Sequence, residues 1–267
     1  RCTELICSFQ KAIQLDPDNA NAYVGLGVSY TGLKHYTEAS DAYKKAINLD
    51  PEDVNAYTGL GEIYYYKIKS YSEAVDAFKK AVELNPKAVS IWKNLALCYK
   101  EKNDYKNAIA SINRAVEINP GDHEVMDIQA STYLLSGDIE KAGQSYGKAL
   151  ELLLKDIEKE KTAEEYGSAS WCALFVQRFS DAEKYAKEGL SIDLSAHWIH
   201  FNLGHAYLFQ DRKTEAIAEY RKFIEQDQSN GKTEFIKALK EEFSLLKKRY
   251  PDKTTLIEWA EKKLRIS

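Results

Sequence analysis

Apolar residues recur along this chain at the three-to-four-residue interval of amphipathic helices, and the helices come in pairs. Leu26 and Tyr30 fall on one helical face, as do Ala39, Tyr43 and Ala46. The pattern therefore predicts two helices of roughly 12–14 residues within 20–53, broken at the stretch Gly32–Tyr36. Small residues (Gly27, Ala39, Ala46) sit where two helix axes must approach, and aromatics fill the gaps between them. A proline flanked by Asp or Asn, as in Asp16-Pro17-Asp18-Asn19, is expected to end one helix and cap the next.

The same arrangement returns in blocks 54–88, 89–122, 123–156, 163–196 and 197–230. Pro17, Pro51, Pro86 and Pro120 mark the early units at spacings of 34, 35 and 34 residues. Tyr23, Leu26, Gly27, Tyr30, Tyr36, Ala39, Tyr43, Ala46, Leu49 and Pro51 of the first block are matched in the second by Tyr57, Leu60, Gly61, Tyr64, Tyr71, Ala74, Phe78, Ala81, Leu84 and Pro86. One extra residue before Tyr71 makes the second block 35 long. The third reads Trp92, Leu95, Ala96, Tyr99, Tyr105, Ala108, Ile112, Ala115, Ile118 and Pro120. This pattern resembles the tetratricopeptide repeat family. The resemblance implies an all-α, right-handed helical solenoid of helix-turn-helix units, whose concave surface is lined by the first helix of each pair. One such pair cannot bury its apolar face alone and must stack on its neighbours.

The later blocks drift. Block 123–156 carries Met126, Gln129 and Ala130 in the aromatic, Leu and Gly positions, and the later proline positions hold Lys155, Leu194 and Gln228. Residues 152–161 read as a second helix lengthened by about two turns, with an insertion at 157–162 expected to form an internal joint. Residues 1–19 supply only the second-helix half of a repeat, which suggests a truncated parent with further sequence upstream. At the other end, 231–267 reads as a degenerate capping pair marked by Phe235, Leu239, Phe243 and Leu246, then Leu256, Trp259, Ala260 and Leu264.

Composition narrows the function classes. The net charge of −4 argues against general nucleic-acid binding. Residues 231–267 hold ten Lys/Arg against six Asp/Glu, so a mildly basic tail follows an acidic body. No apolar run reaches the roughly 18 residues that would span a bilayer, and no signal-peptide core opens the chain. The compartment stays open. Cys2, Cys7, Cys98 and Cys172 have no paired spacing and are read as packing residues where they fall in the repeat. His197, His200 and His205 share a helix but cannot converge, because His205 lies about 140° round from His200. Gly25-Leu26-Gly27 and Gly59-Leu60-Gly61 lie inside helices and are packing glycines. No metal, cofactor or catalytic group is expected, and no nucleophile has a base at suitable spacing.

By resemblance, the second, fifth, ninth, twelfth and thirteenth residues of each block face the concave surface. In the middle repeats these give Asn55, Thr58, Glu62, Tyr65 and Tyr66, then Lys93, Leu97 and Lys100, with Asn94 alongside. Tyr65 and Tyr66 lie outside the aromatic core positions, so packing does not demand them. In the last two repeats the same face carries Trp171, Leu174 and Phe175, then Trp198, Phe201, His205, Leu208 and Phe209. An apolar patch of that size calls for a cover: the lengthened helix at 150–161 or the C-terminal helix with Leu256 and Trp259, a partner, or a second copy. The chaperone-tail clamp of this family is not matched, since only Asn94 conforms, and its asparagine ladder is kept only at Asn94 and Asn202. The expectation is a non-catalytic scaffold that binds a peptide or partner helix in its groove. The alternatives are self-association through 171–209, or a regulatory segment of a larger enzyme.

Overall fold

A computed structural model of the chain describes residues 2–224 and 231–266, and every regular element among them is helical. Arg1, Gln228 and the end of the 197–230 repeat lie outside the described residues. The helices fall into two compact units, Arg1–Pro120 and Gly121–Ser267.

The first unit contains α1 (Cys2–Leu15), α2 (Ala20–Gly32), α3 (Tyr36–Leu49), α4 (Val54–Glu62), α5 (Tyr71–Leu84), α6 (Val89–Glu101) and α7 (Tyr105–Ile118). Each first helix packs on the second helix that follows it. Tyr43 of α3 explains why the short residues recur. A Cβ at Gly27 would come within 2.7 Å of its ring, and one at Gly59, in the next repeat, within 2.5 Å. One buried aromatic thus fills the space between two successive first helices. In the following repeat Phe78 joins Ala74, Ala81, Ile91, Leu95 and Cys98 in a core of the same kind. The starts of α2 and α4 are held by side chains: Asn19 accepts from the Ala22 amide, and Asp53 from those of Asn55 and Ala56. Such caps contribute about 1 kcal/mol each.

The extra residue of the second repeat does not widen the loop. α4 continues as a π-helical turn over Ile63–Ile68, which ends at Lys69 with φ +61°. A π turn is how a helix absorbs one inserted residue without breaking, and it rotates the side chains that follow.

The second unit contains α8 (His123–Ser136), α9 (Ile139–Lys159), α10 (Ala163–Phe175), α11 (Phe179–Ile192), α12 (His197–Phe209), α13 (Lys213–Ile224), α14 (Gly231–Arg249), a 3₁₀ turn at Pro251–Lys253 and α15 (Thr254–Leu264). α9 spans 21 residues against 14 in α3, α5, α7 and α11. Its added turns bury Leu153 and Ile157, and α9 packs on α10. The insertion is therefore internal to the second unit, and the division falls after Pro120, not at the expected joint. Thr162 opens α10 with a reciprocal capping box to Glu165.

The turn inside each of the six pairs from α2–α3 to α12–α13 uses one left-handed residue. Lys34, Lys69, Asn103, Gln177 and Asp211 have φ between 58° and 64°, and Gly137 has φ 91°. Only one of the six is glycine, so this recurrent conformation leaves little trace in the sequence.

Candidate functional site

In the first unit the faces of α4 and α6 present a polar strip with aromatic content. Tyr66, on the π turn, is 44% exposed, and its hydroxyl donates to Asn94 Oδ1 at 3.3 Å. Asn94 itself is buried, while Lys93, Leu97 and Lys100 are half-buried along α6. Asn55 and Glu62 are exposed on α4, and desolvation raises the Glu62 carboxyl above the ordinary value. Thr58 is half-buried with its Oγ1 enclosed and without a hydrogen-bond partner. A cavity of about 120 Å³ lies between Thr31, Glu62, Tyr66 and Lys67.

Tyr65 departs from expectation. The π turn rotates it into the core beside Val75 and Phe78, where its ring meets that of Tyr66 edge-on at 4.6 Å. An uninterrupted α-helix would have left both tyrosines on the open face. The extra residue was visible in the spacing, but the spacing alone did not say whether the loop or the helix would absorb it.

In the second unit the apolar face is covered from within the chain. α14 lies against α8, and its buried Leu239, Phe243 and Leu246 fall at i, i+4 and i+7. Leu174, Phe175, Phe201, His205 and Leu208 are fully buried, and Phe209 nearly so. Polar contacts fix the cover in place. His205 Nε2 donates to the Glu242 carboxylate at 2.9 Å, and its Nδ1 is hydrogen-bonded with the Tyr220 hydroxyl at 2.8 Å. Arg249 Nε donates to the Phe175 carbonyl at 2.8 Å, and the Tyr250 hydroxyl donates to the Leu174 carbonyl. These contacts engage carbonyls at the C-terminus of α10, where a helix leaves its acceptors unpaired and favours a cation. The cover is the first helix of the C-terminal pair. Residues 150–159 belong to α9, which stops at Lys159 and not at the expected 161, and α15, with Leu256 and Trp259, packs on α13 instead. A self-association surface built on 171–209 would need side chains that α14 encloses.

Trp171 and Trp198 stay half-buried at the border of that core and wall a cavity of about 620 Å³. Trp198 lies on α10 so closely that a Cβ at Gly167 would meet its ring at 2.2 Å. Asp122, His123, Glu124 and Asp127 of the α8 segment, Glu164 and Glu165 of α10, and Glu242 of α14 also line it. Asn202 also lines it, buried, with its Nδ2 donating to the Gly167 carbonyl at 3.0 Å. Sequence reasoning missed this site. Its carboxylates come from three separate segments, α8 with its cap, α10 and α14, so no local spacing reports them.

The three histidines face different partners: His197 the Phe235 ring at 4.7 Å, His200 the Glu219 carboxylate at 2.7 Å, and His205 the groups above. Among the described residues no group of three or more His, Cys, Asp or Glu is placed to hold a metal ion. Burial pushes the Cys98 thiol up to about 12 and raises that of Cys172 well above its ordinary value, so neither is a ready thiolate. No helix among the described residues is long and apolar enough to cross a membrane.

Comparison with known proteins agrees with the architecture. Family models described as TPR repeat and tetratricopeptide repeat match residues 30–67, and 123–152 with 199–230, respectively. A model described as regulator of microtubule dynamics protein 1-3 matches 61–136. No curated protein matches the chain. Among solved structures, MamA is 26% identical, covering 57% of this chain and 89% of its own at a TM-score of 0.55. YrrB, described as a TPR protein with an unusual peptide-binding site, is 22% identical over 72% of this chain and 95% of its own, TM-score 0.53. A tetratricopeptide repeat protein from Parabacteroides merdae is 15% identical over 93% of this chain and 92% of its own, TM-score 0.64. Helix pairs recurring on a 34-residue pattern, with Tyr43, Phe78 and Tyr220 of second helices seated against Gly27, Gly61 and Gly204 of the first, together with these matches, show that the chain carries tetratricopeptide repeats.

Proposed function

We propose that the chain is a non-catalytic protein-interaction scaffold whose first unit holds an extended peptide or partner helix against α4 and α6. One contrast carries this reading. In the second unit the first-helix face is taken by α14, whereas in the first unit Tyr66 remains 44% exposed beside Lys93, Leu97 and Lys100. A rigid aromatic next to hydrogen-bonding side chains gives contact area at little cost in conformational freedom. α14 supports the helix-binding mode, because its Leu239, Phe243 and Leu246 form the kind of anchor row that a groove accepts. The description of YrrB as peptide-binding is consistent with this role.

The test is selection of a random-peptide display library on the full chain, followed by affinity measurement on Tyr66→Ala and Lys93→Glu. Selected peptides should bind either variant at least about tenfold more weakly, while both variants stay folded and melt cooperatively. Equal affinity for both variants would remove this strip from consideration.

A further inference from the structure

The small cavity of the first unit, about 120 Å³, lies where α2 meets the α4–α6 strip. Its lining is mainly apolar. Tyr43 and Ile63 are buried, Gly59 adds backbone alone, and Tyr66 adds a ring whose hydroxyl donates to Asn94. Thr31 of α2 also lines it, and its Oγ1 already donates to the Gly27 carbonyl at 2.8 Å. Val28, one turn earlier on the same face of α2, is 60% exposed, so an apolar side chain stands open beside the cavity. A space of this size holds about four waters, which is about the room that the four carbons of a leucine or isoleucine side chain need.

Charge indicates what accompanies that side chain. Glu62 stands at the cavity with its carboxyl raised by desolvation, and no hydrogen bond or cation offsets the rise. A partly desolvated carboxylate is stabilised when a cation reaches it. Lys67 is the other charge of the lining, and its ammonium lies over the Tyr36 ring, 5.9 Å from the centroid, rather than on Glu62. Lys93 and Lys100 place positive charge along α6, so a cation is favoured on the α4 side and a run of cations across the strip is not. A cavity for a single side chain suits an extended segment, in which residues two apart point to the same side. The anchor thereby fixes where the basic residue falls.

Taking the α4–α6 strip as the peptide-binding surface, on which this rests, we propose that the cavity selects the partner. The occupant is an extended protein segment that inserts one leucine- or isoleucine-sized side chain between Thr31 and Tyr66, beside Val28, and pairs a lysine or arginine two residues away with Glu62.

Peptides from the display library, selected on the full chain, give the first readout. Those weakened by Tyr66→Ala should share an aliphatic residue with Lys or Arg two positions away. One such peptide, labelled with fluorescein and titrated by anisotropy, should lose about tenfold in affinity when its aliphatic residue becomes alanine. Glu62→Lys, at an exposed position, should lose about tenfold for that peptide and regain it for a counterpart with glutamate in place of the basic residue. Thr31→Leu, which fills the cavity, should also lose about tenfold; if that variant fails to fold, the charge exchange at Glu62 decides alone. Peptides that depend on Tyr66 but share no such pair, or that bind Glu62→Lys as tightly as the wild type, would overturn the selection and leave the strip's role standing. Peptides indifferent to both Tyr66→Ala and Lys93→Glu would remove the two together.

Discussion

His205 and Glu242 are joined at 2.9 Å across 37 positions of sequence, and the histidine is completely buried where they meet. The pair ties α12 to α14: a carboxylate only accepts, so the contact sets a proton on Nε2, while Nδ1 pairs with the Tyr220 hydroxyl. An apolar helix–helix contact is thereby given a fixed register.

Removing the acceptor should cost stability. Glu242→Ala leaves the buried Nε2–H of His205 unpaired and is expected to destabilise the second unit by about 1–3 kcal/mol in urea titration. Glu242→Gln keeps an acceptor and should retain most of that stability. Phe243→Ala, which empties a fully buried site, should cost about 3–5 kcal/mol. If both alanine variants unfold like the wild type, α14 is not the structural cover described above.

The π turn at Ile63–Ile68 can be removed by deleting Ile68, which is largely exposed. The second repeat then has the 34-residue length of its neighbours, and α4 is expected to continue as regular α-helix. Stability should fall by no more than about 1 kcal/mol, because the strained turn is relieved. The peptide affinity of the α4–α6 strip should drop, since Tyr65 and Tyr66 are both re-aimed. A crystal structure of the deletion variant, with affinity measured on the selected peptides, decides this.

The left-handed turn residues offer the opposite kind of change. Lys34 and Gln177 have φ of 64° and are exposed, so replacing either with glycine removes a Cβ penalty while touching no partner in the core. Each substitution should stabilise by about 0.5–1 kcal/mol, the gain being offset in part by greater freedom of the unfolded chain. Thermal melting of Lys34→Gly, Gln177→Gly and the double variant would measure it.

Glu183 makes part of the stability acid-sensitive. Burial acts to raise its pKa, but hydrogen bonds from Lys187, Arg212 and Gln210 outweigh it and bring the carboxyl down to about 2. A carboxylate depressed on folding contributes fully above its unfolded value of about 4.3, and that contribution fades as pH falls toward the folded value. The difference in melting temperature between wild type and Glu183→Gln should therefore be largest above about pH 4.5 and shrink toward pH 2. A pH-independent difference would mean that Glu183 acts through packing alone.

Much of the architecture was legible because its causes are local. The i, i+4 rows of Leu26 with Tyr30 and of Ala39 with Tyr43, the capping residues Asn19 and Asp53, and the spacing of four prolines each report an element and its limits within a few residues. Repeats stack on nearest neighbours, so these local signals nearly determine the packing, down to Gly27 and Gly59 receiving the Tyr43 ring. The candidate site was less legible. Tyr66, Asn94, Lys93 and Leu97 could be placed on one face by counting, but the count failed at Tyr65, where a π turn changes the angle per residue.

The sequence by itself determined a helical repeat array, the positions of its pairs, and an apolar excess in its last repeats that required a cover. Only the tertiary structure decided that α14 is that cover, that Tyr250 and Arg249 reach back to the end of α10, and that carboxylates from α8, α10 and α14 gather around Trp171 and Trp198. The physical reason is range. Periodicity tells which residues share a helical face, whereas what meets that face is set by contacts between segments tens of residues apart, which leave no period in the chain.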